Sequence, residues 1–375
     1  MRSSAAGEAL VGVRHPTALY TPRTMIRTSS ALFLVVLSAS VSLAGPGGGD
    51  AAPAEEAWPA LDVSLRAPAF AAARGGVDIS GWIKTDYRQV SGTDTGDFGF
   101  NSVRANLTGG VGDMSYKVSV ELGGGVASLR DTFVKFPLAK GVSGTLGTFK
   151  TPFLFSGLSP FTGILFYDRT DIGGDWSGRD AGFQLNGFVD RFGWTLCAQD
   201  GGDGPADDLH LTGRVTYDLF DGVPGIRKWA GGHGPDAERQ VTLGLAYLDE
   251  QSIDDGSALA LEVMAHSGPF WFHAESVDFG DGFVDGVPAS GSTARSAGRA
   301  GTTPYDITAA YAVNGDYEVA VRYEDFDDGA GGELIRAGVT RFLDGHGLKW
   351  NFDWAETSSD GGDSDAITLG LTAAW

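Results

Sequence analysis

The sequence ITLGLTAAW (residues 367–375) alternates strictly between two kinds of side chain. Apolar residues occupy the odd positions, and small or polar residues occupy the even ones. A two-residue period predicts a β-strand with one apolar and one polar face. Because an exposed strand of this kind promotes aggregation in water, we expect lipid to contact its apolar face and Trp375 to lie at the membrane interface.

The same alternation recurs from residue 77 onward and predicts sixteen strands. Many are long enough to cross a bilayer, which takes ~9–11 residues, and an even number of strands can close without a free edge. We therefore predict an all-β fold, a transmembrane antiparallel β-barrel of about 16 strands with short periplasmic turns and longer outer loops. A soluble β-sandwich or propeller is the alternative. The predicted strands are 77–88, 98–109, 113–123, 129–136, 142–150, 181–189, 192–199, 208–218, 238–248, 257–267, 270–277, 304–313, 317–325, 332–342, 347–356 and 365–375.

The connections between these segments differ in length and charge. Connections from odd to even strands are long, and those from even to odd strands are mostly tight, with 219–237 as the exception. The predicted outer loops carry 17 of the 24 excess negative charges of residues 45–375. So acidic a surface repels nucleic acid. Length and charge thus separate the two ends of the predicted barrel in the same way.

The first 74 residues do not fit this pattern. Residues 1–44 are typical of an export signal, with the apolar run ALFLVVL and small residues before Ala44, and Met25 is a possible true start. Residues 45–74 are rich in Ala, Pro and Gly and are predicted to be a flexible leader, so the barrel spans 75–375. The single cysteine, Cys197, excludes an internal disulfide.

Residues 130–201 contain RDTFVKF, GTLGTFKTPFLFSGLS, FYDRTDIGGDWSGRDAGFQLNG and WTLCAQDG. This stretch resembles the phosphate-selective porins of the O and P type, bacterial outer-membrane proteins. The resemblance implies a homotrimer in the bacterial outer membrane whose loop 151–180 folds inward as the pore constriction. Separately, the alternating last strand with its terminal aromatic, Trp375, resembles the assembly signal of bacterial outer-membrane proteins. The charged residues of that loop are Asp168, Arg169, Asp171, Asp175, Arg179 and Asp180.

Charged residues on the polar faces are expected to line the lumen. Bases and acids are mixed there, and only seven lysines occur in the chain, so we expect weak cation preference or little selectivity in a porin that passes small hydrophilic solutes and ions. Phosphate or anion selectivity is the alternative that the family resemblance implies. The predicted bases are Lys84, Arg88, Arg104, Lys117, Arg214, Arg322, Arg336 and Lys349, and the acids are Asp78, Asp86, Glu121, Glu262, Asp306, Glu318, Glu324 and Asp353.

Two other classes of function stay open. An outer-membrane enzyme would need a nucleophile near His210, His266 or His273, but no local motif links any of them to one, so we predict no catalytic residues. A structural or adhesive barrel would use the Asp-rich loops, yet none has the D-x-D-x-D-G spacing of a calcium loop. We therefore predict no metal site and no cofactor, with outer-membrane lipids, ions and solutes as the partners.

Overall fold

The computed structural model describes residues 76–92, 96–201, 209–220, 229–250, 256–281, 283 and 299–375. The predicted export signal and leader lie outside these residues, as do parts of the predicted outer loops. No helix among the described residues combines the length and apolar character needed to cross a membrane.

Sixteen antiparallel strands form one closed barrel, as the alternation predicts. Each strand pairs with its neighbours in sequence, and the first pairs with the last, so no edge strand is left open. Every predicted segment overlaps one observed strand. The strands are β1 Val77–Val90, β2 Gly96–Val111, β3 Met114–Glu121, β4 Ser128–Ala139, β5 Val142–Lys150, β6 Arg179–Val189, β7 Phe192–Gln199, β8 His210–Asp218, β9 Ala237–Glu250, β10 Gly256–Gly268, β11 Phe270–Phe279, β12 Tyr305–Ala312, β13 Tyr317–Asp325, β14 Glu333–Asp344, β15 Leu348–Ser358 and β16 Ser364–Ala374.

The two faces of each strand meet different surroundings, and β16 shows the rule. Ile367 and Leu369 are each 45% exposed on the outside of the barrel, whereas Thr368 and Thr372 are buried inside it. Alternate residues point to opposite faces of a strand, so the odd positions of β16 form part of an outer apolar surface. This inside-out distribution is the one that a barrel surrounded by hydrocarbon requires.

The ends of the barrel differ as the loop lengths predict. One end has tight turns, such as Asp190-Arg191, where Asp190 adopts a left-handed φ of 52°. The other end carries the long connections, including 151–178 between β5 and β6. The predicted exception is confirmed as well, because β8 ends at Asp218 and β9 begins at Ala237.

Closure depends on a close contact between Gly81 in β1 and the last residue. The Trp375 N–H donates to the Gly81 carbonyl at 3.0 Å, and the Gly81 N–H donates to the Trp375 carbonyl at 3.1 Å. A Cβ at position 81 would overlap the backbone oxygen of Arg104 and lie 2.7 Å from the Trp375 indole. Only glycine therefore fits at this seam.

We expect Gly81→Val to weaken closure, because overpacking of this kind costs about 1–3 kcal/mol. The folded fraction of refolded barrel, read from heat-dependent migration on a gel and from its urea midpoint, should fall. Gly315→Ala is the matched control, since a Cβ there meets no atom within 4 Å. Equal folded fractions for the two variants would contradict this role of Gly81.

Candidate pore constriction

The segment between β5 and β6, residues 151–178, lies inside the barrel, and we call it the constriction loop. It contains two short helices, α1 Phe155–Leu158 and α2 Asp171–Asp175. Most of its apolar side chains are buried, with Phe153, Leu154 and Trp176 at 0–1% exposure. The loop therefore packs as a second, internal core against one wall of the barrel.

Buried carboxylates of the wall hold the backbone of the constriction loop. A buried backbone N–H without a hydrogen-bond partner costs free energy. Four N–H groups of the loop lack a partner within a helix or sheet, and each donates to a lumen-facing acid of the wall. The pairs are Phe155 N–H to Glu262 (2.8 Å), Ser156 N–H to Glu275 (2.9 Å), Tyr167 N–H to Asp353 (2.6 Å) and Asp171 N–H to Glu324 (2.6 Å).

Basic and amide side chains of the same wall bind the loop carbonyls. Lys84 Nζ donates to the Tyr167 carbonyl at 2.7 Å, and Asn351 Nδ2 donates to the Leu165 carbonyl at 2.6 Å. Lys349 Nζ donates to the Ile164 carbonyl. Much of the charge on this wall is thus used to position the loop rather than to face open solvent.

A second internal contact comes from the long β8–β9 connection, at the tight-turn end. Ala230 N–H donates to the carbonyl of Gly163 in the loop at 2.8 Å. Gly232 N–H donates to Glu318 at 2.6 Å, and His346 lies 3.1 Å from the Gly231 carbonyl. Residues 229–232 therefore contact the constriction loop from the tight-turn end, which explains why this connection is longer than a tight turn.

The open part of the lumen lies between the loop and the wall formed by the first six strands. This cavity has a volume of about 1080 Å³. Among its described lining residues, seven are basic and four are acidic. The bases are Arg104, Lys117, Arg130, Lys135, Lys150, Arg169 and Arg179, and the acids are Glu121, Asp131, Asp168 and Asp171.

Each of the four acids is already paired with a base. Burial alone would raise the pKa of the Asp168 carboxyl, but Arg336, Arg88 and Lys84 hold that pKa below its usual value. These acids therefore add no uncompensated negative charge to the cavity. The pairs are Glu121 with Arg104 (2.8 Å), Asp131 with Lys117 (2.8 Å) and Arg179 (3.0 Å), Asp168 with Arg336 (3.2 Å), and Asp171 with Arg299 (2.6 Å).

Two of the remaining bases converge on one carbonyl of the loop. Lys150 Nζ lies 3.0 Å and Arg169 Nη2 lies 2.8 Å from the Ser159 oxygen. Arg169 Nη1 is buried and has no hydrogen-bond partner among the described residues. Burial and the nearby Arg179 lower the pKa of Arg169 to about 9, so its guanidinium is still charged at neutral pH. Arg169 therefore keeps a positive charge at this point of the cavity.

The predicted loop residues divide into two groups. Asp168, Arg169, Asp171 and Arg179 line the cavity. Asp175 and Asp180 are not among its lining residues: Asp175 pairs with Arg299 at 3.1 Å, and Asp180 accepts the Gly201 N–H at 2.6 Å.

The predicted lumen residues divide in the same way. Arg104, Lys117 and Glu121 line the open cavity, and Arg88 lies 3.6 Å from Asp168 with a half-exposed side chain. Asp78 is exposed at the start of β1. Most of the others lie on the wall that the loop covers. In this group Arg214 pairs with Glu262, while Lys84, Glu318, Arg322 and Arg336 are buried.

Sequence reasoning missed several lining residues for local reasons. The β3–β4 register shifts between Val118 and Val120, so Arg130 and Asp131 both reach the cavity although strict alternation would separate them. Lys150 ends β5, where its long side chain reaches the loop. Arg299, which does not line the cavity but pairs with Asp171 and Asp175, lies in a long connection without periodicity.

The fold is similar to that of solved bacterial outer-membrane proteins. No family model matches the chain, and no curated protein matches it. Among solved structures, a loop-deletion variant of OmpT, an outer membrane protein of Vibrio cholerae, is 13% identical with a TM-score of 0.56, over 80% of this chain and 100% of that one. The outer membrane channel DcaP of Acinetobacter baumannii is 12% identical with a TM-score of 0.53, over 81% and 98%. A mutant of the Rhodopseudomonas blastica porin is 12% identical with a TM-score of 0.51, over 80% and 100%.

We expect Asp353→Ala to loosen the constriction loop, because the Tyr167 N–H loses its acceptor at a cost of about 1–3 kcal/mol. In planar bilayers the open-channel current should become noisier and the mean conductance should rise. Asp363→Ala is the control, since Asp363 is an exposed acid of the β15–β16 loop. Identical current noise in both variants would show that this hydrogen bond does not hold the loop.

Proposed function

We propose that this protein is a porin of the bacterial outer membrane, through which small hydrophilic solutes and ions diffuse passively. Three observations support the proposal: the closed barrel with an apolar exterior, the polar cavity of about 1080 Å³, and the fold shared with porins. The constriction loop narrows the lumen in this proposal and sets its local field. Conductance in planar bilayers tests it, and a silent folded barrel would favour a structural or adhesive role.

We further propose that the constriction prefers anions. The observation that carries this is the excess of bases around the open cavity, where all four acids are paired and Arg169 keeps a guanidinium nitrogen without a hydrogen-bond partner among the described residues. Like charges held together in a narrow site attract a mobile counterion of opposite sign. This differs from the weak cation preference expected from the sequence, because the acids of the opposite wall hold the loop backbone.

Weak cation preference is the second candidate, supported by the acidic loops at the end of the barrel that carries the long connections. Without residues 151–180, the predicted outer loops carry 15 excess negative charges in the sequence (17 − 2), and these would concentrate cations near that mouth. Such exposed charges are screened within a Debye length of ~8 Å at physiological salt. We therefore expect the mouth to matter most at low salt and the constriction to dominate at high salt.

Kinship with the phosphate-selective porins of the O and P type is part of the proposal, and it rests on residues 130–201. A homotrimer embedded in outer-membrane lipid is the assembly that this resemblance implies. The mass of the detergent-solubilised particle, measured by light scattering with the detergent subtracted, tests it. A monomer mass under mild detergent would contradict the trimer without affecting the channel.

We expect Arg169→Gln to reduce anion preference severalfold, since a unit charge acts on an ion 4 Å away with about 1 kcal/mol even at the dielectric constant of water. Reversal potentials in a KCl gradient should be anion-selective for the wild type and move toward zero in Arg169→Gln. Chloride current should also fall on addition of phosphate if the site binds it.

Lys140→Met and Arg341→Gln are the matched controls, because both side chains are exposed and neither lines the cavity. They should retain the wild-type reversal potential. Cation-selective wild-type channels, or equal shifts in the control variants, would contradict an anion-preferring constriction.

A further inference from the structure

Three ionisable side chains form a closed cluster behind helix α1 of the constriction loop. His273 and Glu275 lie two residues apart on β11, and Asp306 lies on β12 directly opposite Glu275. Their exposed fractions are 2%, 2% and 0%. Like charges directly opposite each other on paired strands are destabilising, and deep burial makes this worse. The two carboxylates therefore require a compensating positive charge.

The ion pairs of His273 supply at most one positive charge for the two carboxylates, and these contacts are long. His273 Nε2 lies 3.3 Å from Glu275 Oε1, and His273 Nδ1 lies 3.5 Å from Asp306 Oδ1. Charge-assisted N–H···O bonds are about 2.7–2.9 Å long. Both oxygens of Asp306, one of Glu275 and Nε2 of His273 are buried without a hydrogen-bond partner in the part of the chain that the structure describes.

Two buried arginines of the same wall donate elsewhere. Arg214 pairs with Glu262. Arg322 donates to Thr308 Oγ1 at 3.2 Å and to the Asp168 carbonyl at 3.2 Å. Neither forms an ion pair within 4 Å of Asp306 or Glu275 among the described residues.

We propose that His273, Glu275 and Asp306 bind one divalent transition-metal ion, with zinc as the representative. One ligand atom from each residue can be chosen so that all three lie within 4.8 Å of one another. Ligands about 2.0–2.1 Å from a tetrahedral zinc ion are about 3.3 Å apart, which is the observed distance from His273 to Glu275. Imidazole nitrogen and carboxylate oxygen are both zinc ligands, and two carboxylates neutralise the ion.

The ion would tie the constriction loop to the barrel wall. Ser156 N–H donates to Glu275 Oε1 at 2.9 Å, and the ring centroids of Phe155 and His273 are 5.1 Å apart. The Ser156 hydroxyl is also buried without a hydrogen bond among the described residues. A cavity of about 20 Å³ beside Ser156 and His273 has room for one water as a further ligand. Such a buried ion is structural and is taken up as the loop packs.

The test uses the full barrel refolded in detergent with and without one equivalent of zinc, followed by gel filtration and elemental analysis. We expect one zinc per wild-type chain, and a rise of several degrees in the unfolding temperature, because an ion bound only to the folded state stabilises it. His273→Gln and Asp306→Asn should lose the bound zinc and the temperature shift. His210→Gln, a buried histidine on β8, is the matched control and should retain both.

Cobalt provides a second measurement on the wild type, which needs no variant to fold. Intense visible bands of four- or five-coordinate cobalt are expected, whereas acidic surface loops give only the weak bands of a six-coordinate ion. Wild-type protein without stoichiometric zinc, or zinc retained in both cluster variants, would overturn the proposal. Neither readout depends on conductance, so the result is independent of the channel proposal.

Discussion

The structure depends on one constraint, that every backbone N–H and C=O facing hydrocarbon must find a partner within the protein. An open sheet would leave one row unpaired at each edge, so β1 must pair with β16. Gly81 permits this pairing by leaving space for the carbonyl of Arg104 and the ring of Trp375. Closure in turn creates an interior that lipid cannot reach. The polar face of each alternating strand points into this interior.

The same constraint acts again inside the barrel. The constriction loop has little regular structure of its own, so its buried amides and carbonyls need partners from the wall. Acids such as Glu262 and Asp353 accept from the amides, while Lys84 and Lys349 donate to the carbonyls. One side of the barrel thereby uses its charge to hold the loop. The opposite side, around Arg130, Lys135 and Arg169, keeps an excess of positive charge next to open water.

The different roles of the two sides of the wall connect the packing of the loop to the proposed permeation. A count of charges along the strands describes a mixed wall with no net preference. Once the loop covers one half of that wall, ions experience only the other half, where the acids are paired and bases such as Arg169 remain. The cluster of His273, Glu275 and Asp306 belongs to the covered half, so its proposed ion would stabilise the loop without lining the path.

The sequence by itself determined the barrel, its sixteen strands and the faces of their residues, because a two-residue period and tight turns such as Asp190-Arg191 are local properties of the chain. The family resemblance predicted that 151–180 folds inward, and Asp168, Arg169, Asp171 and Arg179 of that segment line the cavity. Only the tertiary structure decided which charges face water. Arg130 and Asp131 both line the cavity because the β3–β4 register shifts. Asp353 accepts a hydrogen bond from the Tyr167 amide, which is far away in sequence. Arg299, from the β11–β12 connection, pairs with Asp171. Such contacts join residues that are distant in sequence and come together only when the barrel closes, so no local sequence pattern predicts them.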